Sequence, residues 1–93
     1  MEQICGIEAM AQIAAAGKFQ PDRVVAYAMS DVTRLADTLT ANGAAFRSEI
    51  QWYRLKFVCQ VSADRQQVED FWFLVGDAIP KRRWERYNLP AFF

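Results

Sequence analysis

Residues 51–61 read QWYRLKFVCQV, and their alternation decides the fold. Tyr53, Leu55, Phe57, Cys59 and Val61 form an apolar set at the odd positions. Trp52, Arg54, Lys56, Val58 and Gln60, at the even ones, are mostly amphipathic or polar. A period of two marks a strand with one face turned to a core. Residues 68–75, VEDFWFLV, repeat the pattern, with Phe71, Phe73 and Val75 on one face and Val68, Trp72 and Leu74 on the other. The polar stretch SADRQQ lies between the two segments, so they are predicted to form an antiparallel hairpin.

Upstream, EQICGIEAMAQIAAAG reads as a helix, because it is alanine-rich and Gly17 suits the position after a last turn. At about 100° per residue, Ile4, Ile7, Met10, Ala11, Ile13 and Ala14 share one broad arc, which is expected to face the sheet. Cys5 falls on the opposite side with Glu8 and Gln12. KFQPDR at 18–23 is a loop, and VVAYAM at 24–29 is expected to be a strand buried on both faces. Residues 30–43 fit two patterns. Val32, Leu35, Ala36 and Leu39 have helical spacing between Ser30 as N-cap and Asn42-Gly43 as stop. The threonines of TLTA, with Asn42-Gly43 as a hairpin turn, favour a strand over 37–41, and that reading is adopted. A long strand is then expected from near Ala45 through Cys59 with a break around Glu49, and a second one ending at Gly76. Pro80 suits the first turn of a short helix carrying Trp84. The expectation is a single α+β domain over residues 1–93: an antiparallel sheet of three or four strands, the N-terminal helix across one face, and a short C-terminal helix. Leu55, Phe57, Phe71, Phe73 and Val75 would lie beneath the first helix.

Composition narrows the function. A chain of 93 residues buries only ~60–68% of its unfolded surface, so the core is thin. Its 53% apolar and 24% charged residues are ordinary for a globular domain. No run approaches the ~18 apolar residues of a membrane span. MEQICGIEAM lacks the basic start of a signal peptide. Net charge is zero, with three basic against five acidic residues in 1–45 and eight against six in 46–93, too even for a dedicated nucleic-acid binder. The absence of histidine removes serine–histidine and cysteine–histidine nucleophiles. Two cysteines without a CxxC provide neither a four-thiolate zinc site nor thioredoxin-like exchange. No metal or cofactor site is expected. Asp22, Asp31, Glu69, Asp70 and Asp77 form no recognisable catalytic set, and the domain is expected to be no enzyme. The alternatives are a small carboxylate-dependent hydrolase or isomerase, and a purely structural terminus of a membrane-anchored protein.

Three features invite a binding role, and the cysteines pose a separate question. In KRRWER, Lys81, Arg82 and Arg86 share a side of a helix with Trp84 turned to the sheet. They form either a patch for an anionic partner or a solvated face, and the second reading weighs more. Arg47 either grips a carboxylate or phosphate bidentately or anchors an irregular strand. Trp52 and Trp72 fall on the sheet face away from the helix, with Val58 and Leu74. There they form an exposed aromatic patch or lie under the C-terminal helix or the LPAFF tail; covering is favoured, since Phe92 and Phe93 also need burial. Cys5 and Cys59 are either bridged or two buried thiols, and the helical phase of Cys5 counts against a bridge unless that residue lies outside the regular helix.

The strings CGIEAM at 5–10, FQPDRVVAY at 19–27, GAAFRS at 43–48, WYRLKFVC at 52–59, VEDFWFLVG at 68–76 and IPKRRW at 79–84 occur in this order over nearly the whole chain. Together they resemble the alphaproteobacterial family known as domain of unknown function 930. The resemblance implies a periplasmic or envelope-associated protein, with an export signal or membrane anchor ahead of the domain. It thereby implies an oxidising compartment and a Cys5–Cys59 disulfide. It brings no established activity and no catalytic residues. The chain shows no such leader, which is expected of an excised domain beginning at an added methionine or of a short member. The expected partner is a protein or envelope component, not nucleic acid, met through the second sheet face and the basic C-terminal residues.

Overall fold

The computed structural model describes residues 1–90. Helix α1 (Glu2–Ala15) is followed by strands β1 (Pro21–Val25), β2 (Thr33–Leu35), β3 (Thr38–Ser48), β4 (Gln51–Val61) and β5 (Val68–Ala78). Two short 3-10 turns follow, Lys81–Arg83 and Glu85–Tyr87, in place of the expected C-terminal helix. All pairings are antiparallel. The sheet order is β1-β3-β4-β5, with β2 also on β3, so the sheet has five strands and not three or four. The hairpin of β4 and β5 is as predicted, pairing Phe57 with Phe73 and Val58 with Trp72. β5 continues past Gly76 to Ala78.

The departures from expectation cluster between residues 21 and 50. β1 starts at Pro21 and ends at Val25, earlier than the VVAYAM reading, and residues 26–30 form turns and bends. Proline is tolerated there because it opens an outer strand and needs no ladder donor. The break expected around Glu49 in the Ala45–Cys59 strand is a full reversal at Glu49-Ile50, which makes it two antiparallel strands. Both of these residues have positive φ (52° and 68°) between the paired Ser48 and Gln51, as in a type I′ hairpin turn. Asn42-Gly43 is not a turn at all. β3 runs through it, and the register with β4 shifts between Ala41 and Ala44, a bulge. A Cβ on Gly43 would strike Ser30, whose backbone nitrogen lies 2.5 Å from that position. Gly43 also accepts a hydrogen bond from the Met29 N–H at 2.8 Å. The glycine is therefore required by close approach of the 29–30 segment, a demand that mimics a turn signal in sequence.

α1 lies over the odd face of the sheet. Leu55, Phe57, Cys59 and Val61 of β4 are buried there with Leu39, Ala41, Ala44 and Phe46 of β3, while Phe71, Phe73 and Val75 pack at the margin. Of the arc that hydropathy selects, the helix buries only Ile13, with Ile4 packed against the core from its margin. Its buried stripe is Cys5, Ala9 and Ile13, at spacing i, i+4, i+8, and Ile7 is 57% exposed. Cys5 sits inside the regular helix and is bonded to Cys59, with Cα atoms 6.0 Å apart. That bond turns Cys5 to the sheet, and Ile7, about 200° further round, must then point away. Ala9 is buried in the same cluster as the sheet alanines Ala41 and Ala44.

Two outcomes test this account. The bridge closes a loop spanning a sequence separation of 54. The chain-entropy relation gives roughly 4 kcal/mol as its upper contribution, so the Cys5→Ala/Cys59→Ala protein should lose about 2–4 kcal/mol in urea unfolding. A loss below about 1 kcal/mol would remove the bridge from its central place. Gly43→Ala should cost about 1–3 kcal/mol through overpacking against Ser30, whereas a turn role would tolerate asparagine there and a wild-type midpoint for Gly43→Asn would contradict the packing account.

Candidate functional site

The even face of the sheet is covered at one end only. Trp52, Ala45, Ile79, Trp84 and Leu89 form a second buried cluster, with Val25, Ala28, Met29 and Tyr87 packed around it. Polar tips of the tryptophans are satisfied by the same segment that buries them. The Trp52 indole N–H donates to the Pro90 carbonyl at 2.9 Å, and that of Trp84 to the Ile79 carbonyl at 2.8 Å. The Gln51 side-chain amide donates to the Trp52 and Ile79 carbonyls. Asn88, in the left-handed conformation, closes the second 3-10 turn and lets Leu89 fold back onto the Trp84 carbonyl. Trp52 is thus fully buried and is corrected from a candidate binding residue to a core residue. Covering of this end is achieved by Ile79, Trp84 and Leu89; the Phe92 and Phe93 reading lies outside the described residues.

Arg47 is also a buried residue, 6% exposed, and not a surface grip. Its Nε and one terminal nitrogen donate to the two carboxylate oxygens of Asp22 at 2.9 and 3.1 Å. The guanidinium lies 5.7 Å from the Trp52 ring centroid. Arg47 does grip a carboxylate bidentately, but it is one of this chain's own, at the bulge where β1 joins β3. Its remaining terminal nitrogen is buried without a hydrogen-bond partner among the described residues. The hydrogen bond from Arg47, followed by its charge, holds the Asp22 carboxyl below the ordinary aspartate value despite some desolvation. At the β4–β5 loop, hydrogen bonds from the Ser62 hydroxyl and the Gln66 N–H likewise lower Asp64.

Beyond the second cluster the even face is open. Trp72 (55% exposed) and Leu74 (54% exposed) stand side by side on β5, with Val58 opposite Trp72. A pocket of about 350 Å³ adjoins Leu74, lined among others by Met29, Asn42, Arg54, Lys56 and Asp77. Arg54 is held there by a 2.9 Å contact to the Met29 sulfur. Sequence reasoning missed this pocket, because it exists only through the bulge at Asn42-Gly43 and the returning 29–30 segment. Asp77 is the single carboxylate lining it among the described residues. Asp22 is tied to Arg47, and Asp70 stands opposite Gln60 on the sheet. No group of three or more potential metal ligands gathers among the described residues, and no described helix is long and apolar enough to cross a membrane.

Lys81, Arg82 and Arg86 are exposed on the 3-10 turns, with the Lys81 ammonium 5.9 Å from the Trp84 ring centroid. Trp84 faces the sheet, as expected. The basic residues and Trp72 are not one patch. Val58, opposite Trp72, lies six positions along β4 from Trp52, which sits beneath the turns, a distance of roughly 20 Å. Glu2 pairs with Arg34, linking the start of α1 to β2.

Asp22 supports a pH prediction. Its folded pKa is depressed, so its contribution is complete above the unfolded value near ~3.9 and is lost as pH falls through the lower folded value. Asp22→Asn should lower the urea midpoint at neutral pH, where Arg47 loses its anion. The gap should narrow as pH falls through the depressed folded value of Asp22 and close once that carboxyl is protonated in the folded protein as well. A constant gap down to that pH would show that the ion pair is not the cause.

The family model described as Domain of Unknown Function (DUF930) matches residues 1–89. No curated protein and no solved structure matches the chain. With almost its whole length covered by that model, the chain belongs to the DUF930 family.

Proposed function

We propose that this domain is a non-catalytic recognition module of the cell envelope, binding a protein or envelope component through the open half of its even sheet face. The observation that carries this reading is the pair Trp72 and Leu74, each more than half exposed on a face whose other end is sealed by a dedicated cluster. Covering Trp52 while leaving Trp72 bare is a costly arrangement unless something else meets it, since exposed aromatic groups beside a concavity are favoured anchors for partners. The adjoining pocket, with Lys56 and Arg54 at its wall, supplies polar groups to orient a ligand. Dispersal of the carboxylates supports a binding role over a hydrolytic one, as a pocket with Asp77 alone lacks the second acid of a general acid–base pair.

An extracytoplasmic address is supported by the Cys5–Cys59 bond, since such bonds persist in oxidising compartments. Alkylation of native material before reduction should find neither cysteine reactive; two labelled thiols would overturn the address. The binding face is tested by comparing two tryptophans. Trp72→Ala should abolish partner capture from an envelope extract while changing stability by less than about 1 kcal/mol. Trp52→Ala should cost about 3–5 kcal/mol. Undiminished capture by the folded Trp72→Ala/Leu74→Ala protein would mean that this face is not the site.

A further inference from the structure

We infer that the pocket beside Leu74 holds a carboxylate borne on an apolar group and gripped by Arg54 and Lys56, an inference that rests on the open even face being the binding face. Both cations stand on β4 two positions apart, so they share a face with their Cα atoms roughly 7 Å apart. Each sits where a neighbouring strand gives way. On the β5 side, Tyr53 pairs with Ala78 and Leu55 with Val75, so Gly76 and Asp77 together oppose Arg54. On the β3 side, Ala41 pairs with Phe57 and Ala44 with Leu55, so Asn42 and Gly43 together oppose Lys56. Two bulges on opposite flanks of the cations thus frame the pocket, and bulges are favoured next to functional sites because they re-aim side chains. All six of these cation and bulge residues line it. Gly76 keeps the space open, since a Cβ there would lie 3.1 Å from that of Arg54.

The chemistry of the pocket selects its ligand. Ion pairs among the described residues join Arg34 to Glu2, Arg47 to Asp22 and Arg65 to Asp37, and none engages Arg54 or Lys56. Half-buried Arg54 has the Met29 sulfur as its one side-chain partner among the described residues. A thioether is a weak acceptor for a guanidinium with five N–H donors, so the contact orients Arg54 and leaves most of its donors for an anion. Two cations beside the single acid Asp77 give the lining a net charge of +1, which suits one negative charge and disfavours a dianion. Leu55, Leu74 and Met29 line the same space and suit an apolar group next to that charge. At about 350 Å³ the pocket lies near the ~300 Å³ lower bound of ligand sites. That is room for a small acid or for the last residue of a peptide, and not for a lipid. The carboxylate accepts from Arg54 and Lys56, and the apolar group lies against Leu74, which pairs with Lys56 across the ladder.

Titration with N-acetyl-leucine, followed through backbone amide chemical shifts, tests this. Asn42, Gly43, Lys56 and Gly76 should shift together. Neutral N-acetyl-leucinamide, which keeps the apolar body and loses the charge, should bind about tenfold more weakly or less. Arg54→Gln and Lys56→Gln should each weaken binding of the acid by about tenfold. Lys56 is exposed, so its variant keeps the test alive if the half-buried arginine does not tolerate replacement. Asp77→Asn, also at an exposed position, should tighten N-acetyl-leucine and admit the dianion N-acetyl-aspartate, a change of charge selectivity that a merely structural aspartate would not produce. An acetylated tripeptide ending in leucine that binds at least as well as N-acetyl-leucine assigns the carboxylate to a chain end; weaker binding assigns it to a free acid. Absence of shifts at tens of millimolar acid, equal binding of acid and amide, undiminished binding in the folded cation variants, or tighter binding of dibutyl phosphate overturns the inference. Any of these with Trp72-dependent capture intact leaves the binding face in place, whereas loss of both removes the face as well.

Discussion

The covalent bond between Cys5 and Cys59 sets the rotation of α1, and most of what is unusual here follows from that angle. A free amphipathic helix would roll until its largest apolar arc met the sheet. With Cys5 tied to β4, the stripe that enters the core is Cys5, Ala9 and Ile13, and Ile7 is left in solvent. Cys5, Ala9 and Ile13 are buried in one cluster with Leu39, Ala41, Ala44 and Phe46 of β3. Part of the stabilisation that a larger buried arc would supply through hydration is replaced by restriction of the unfolded chain.

The second organising fact is that one sheet serves two separate cores. On the odd face the helix covers β4 and part of its neighbours; on the even face the segment after β5 covers only the Trp52 end. Both tryptophans of this second cluster carry their N–H groups to carbonyls of the covering segment, which ties the chain end to the sheet by hydrogen bonds as well as by burial. Arg47 and Asp22 close the adjoining bulge and add a charged contact to the same cluster. What remains bare is Trp72, Leu74 and the edge beside them, the part of the molecule where surface chemistry is least explained by folding alone.

The amino-acid sequence by itself determined what is local and periodic. Alternation over 51–61 and 68–75 specified two strands, their faces and their pairing, because a pleated strand alternates its side chains whatever lies above it. Alanine content and Gly17 specified the first helix, and six strings in order along the chain were enough to indicate the family. Only the tertiary structure decided what depends on approach from a distance. Asn42-Gly43 has the composition of a turn but is a bulge, because the reason for the glycine is Ser30, thirteen residues earlier in the chain. Glu49-Ile50 turns the chain without any turn residue, since pairing of β3 with β4 outweighs a local preference. The outward arc of α1, the burial of Trp52 and Arg47, and the exposure of Trp72 are likewise set by which segments come to lie across the sheet. Periodicity reports that a side chain shares a face; only packing determines whether anything covers it.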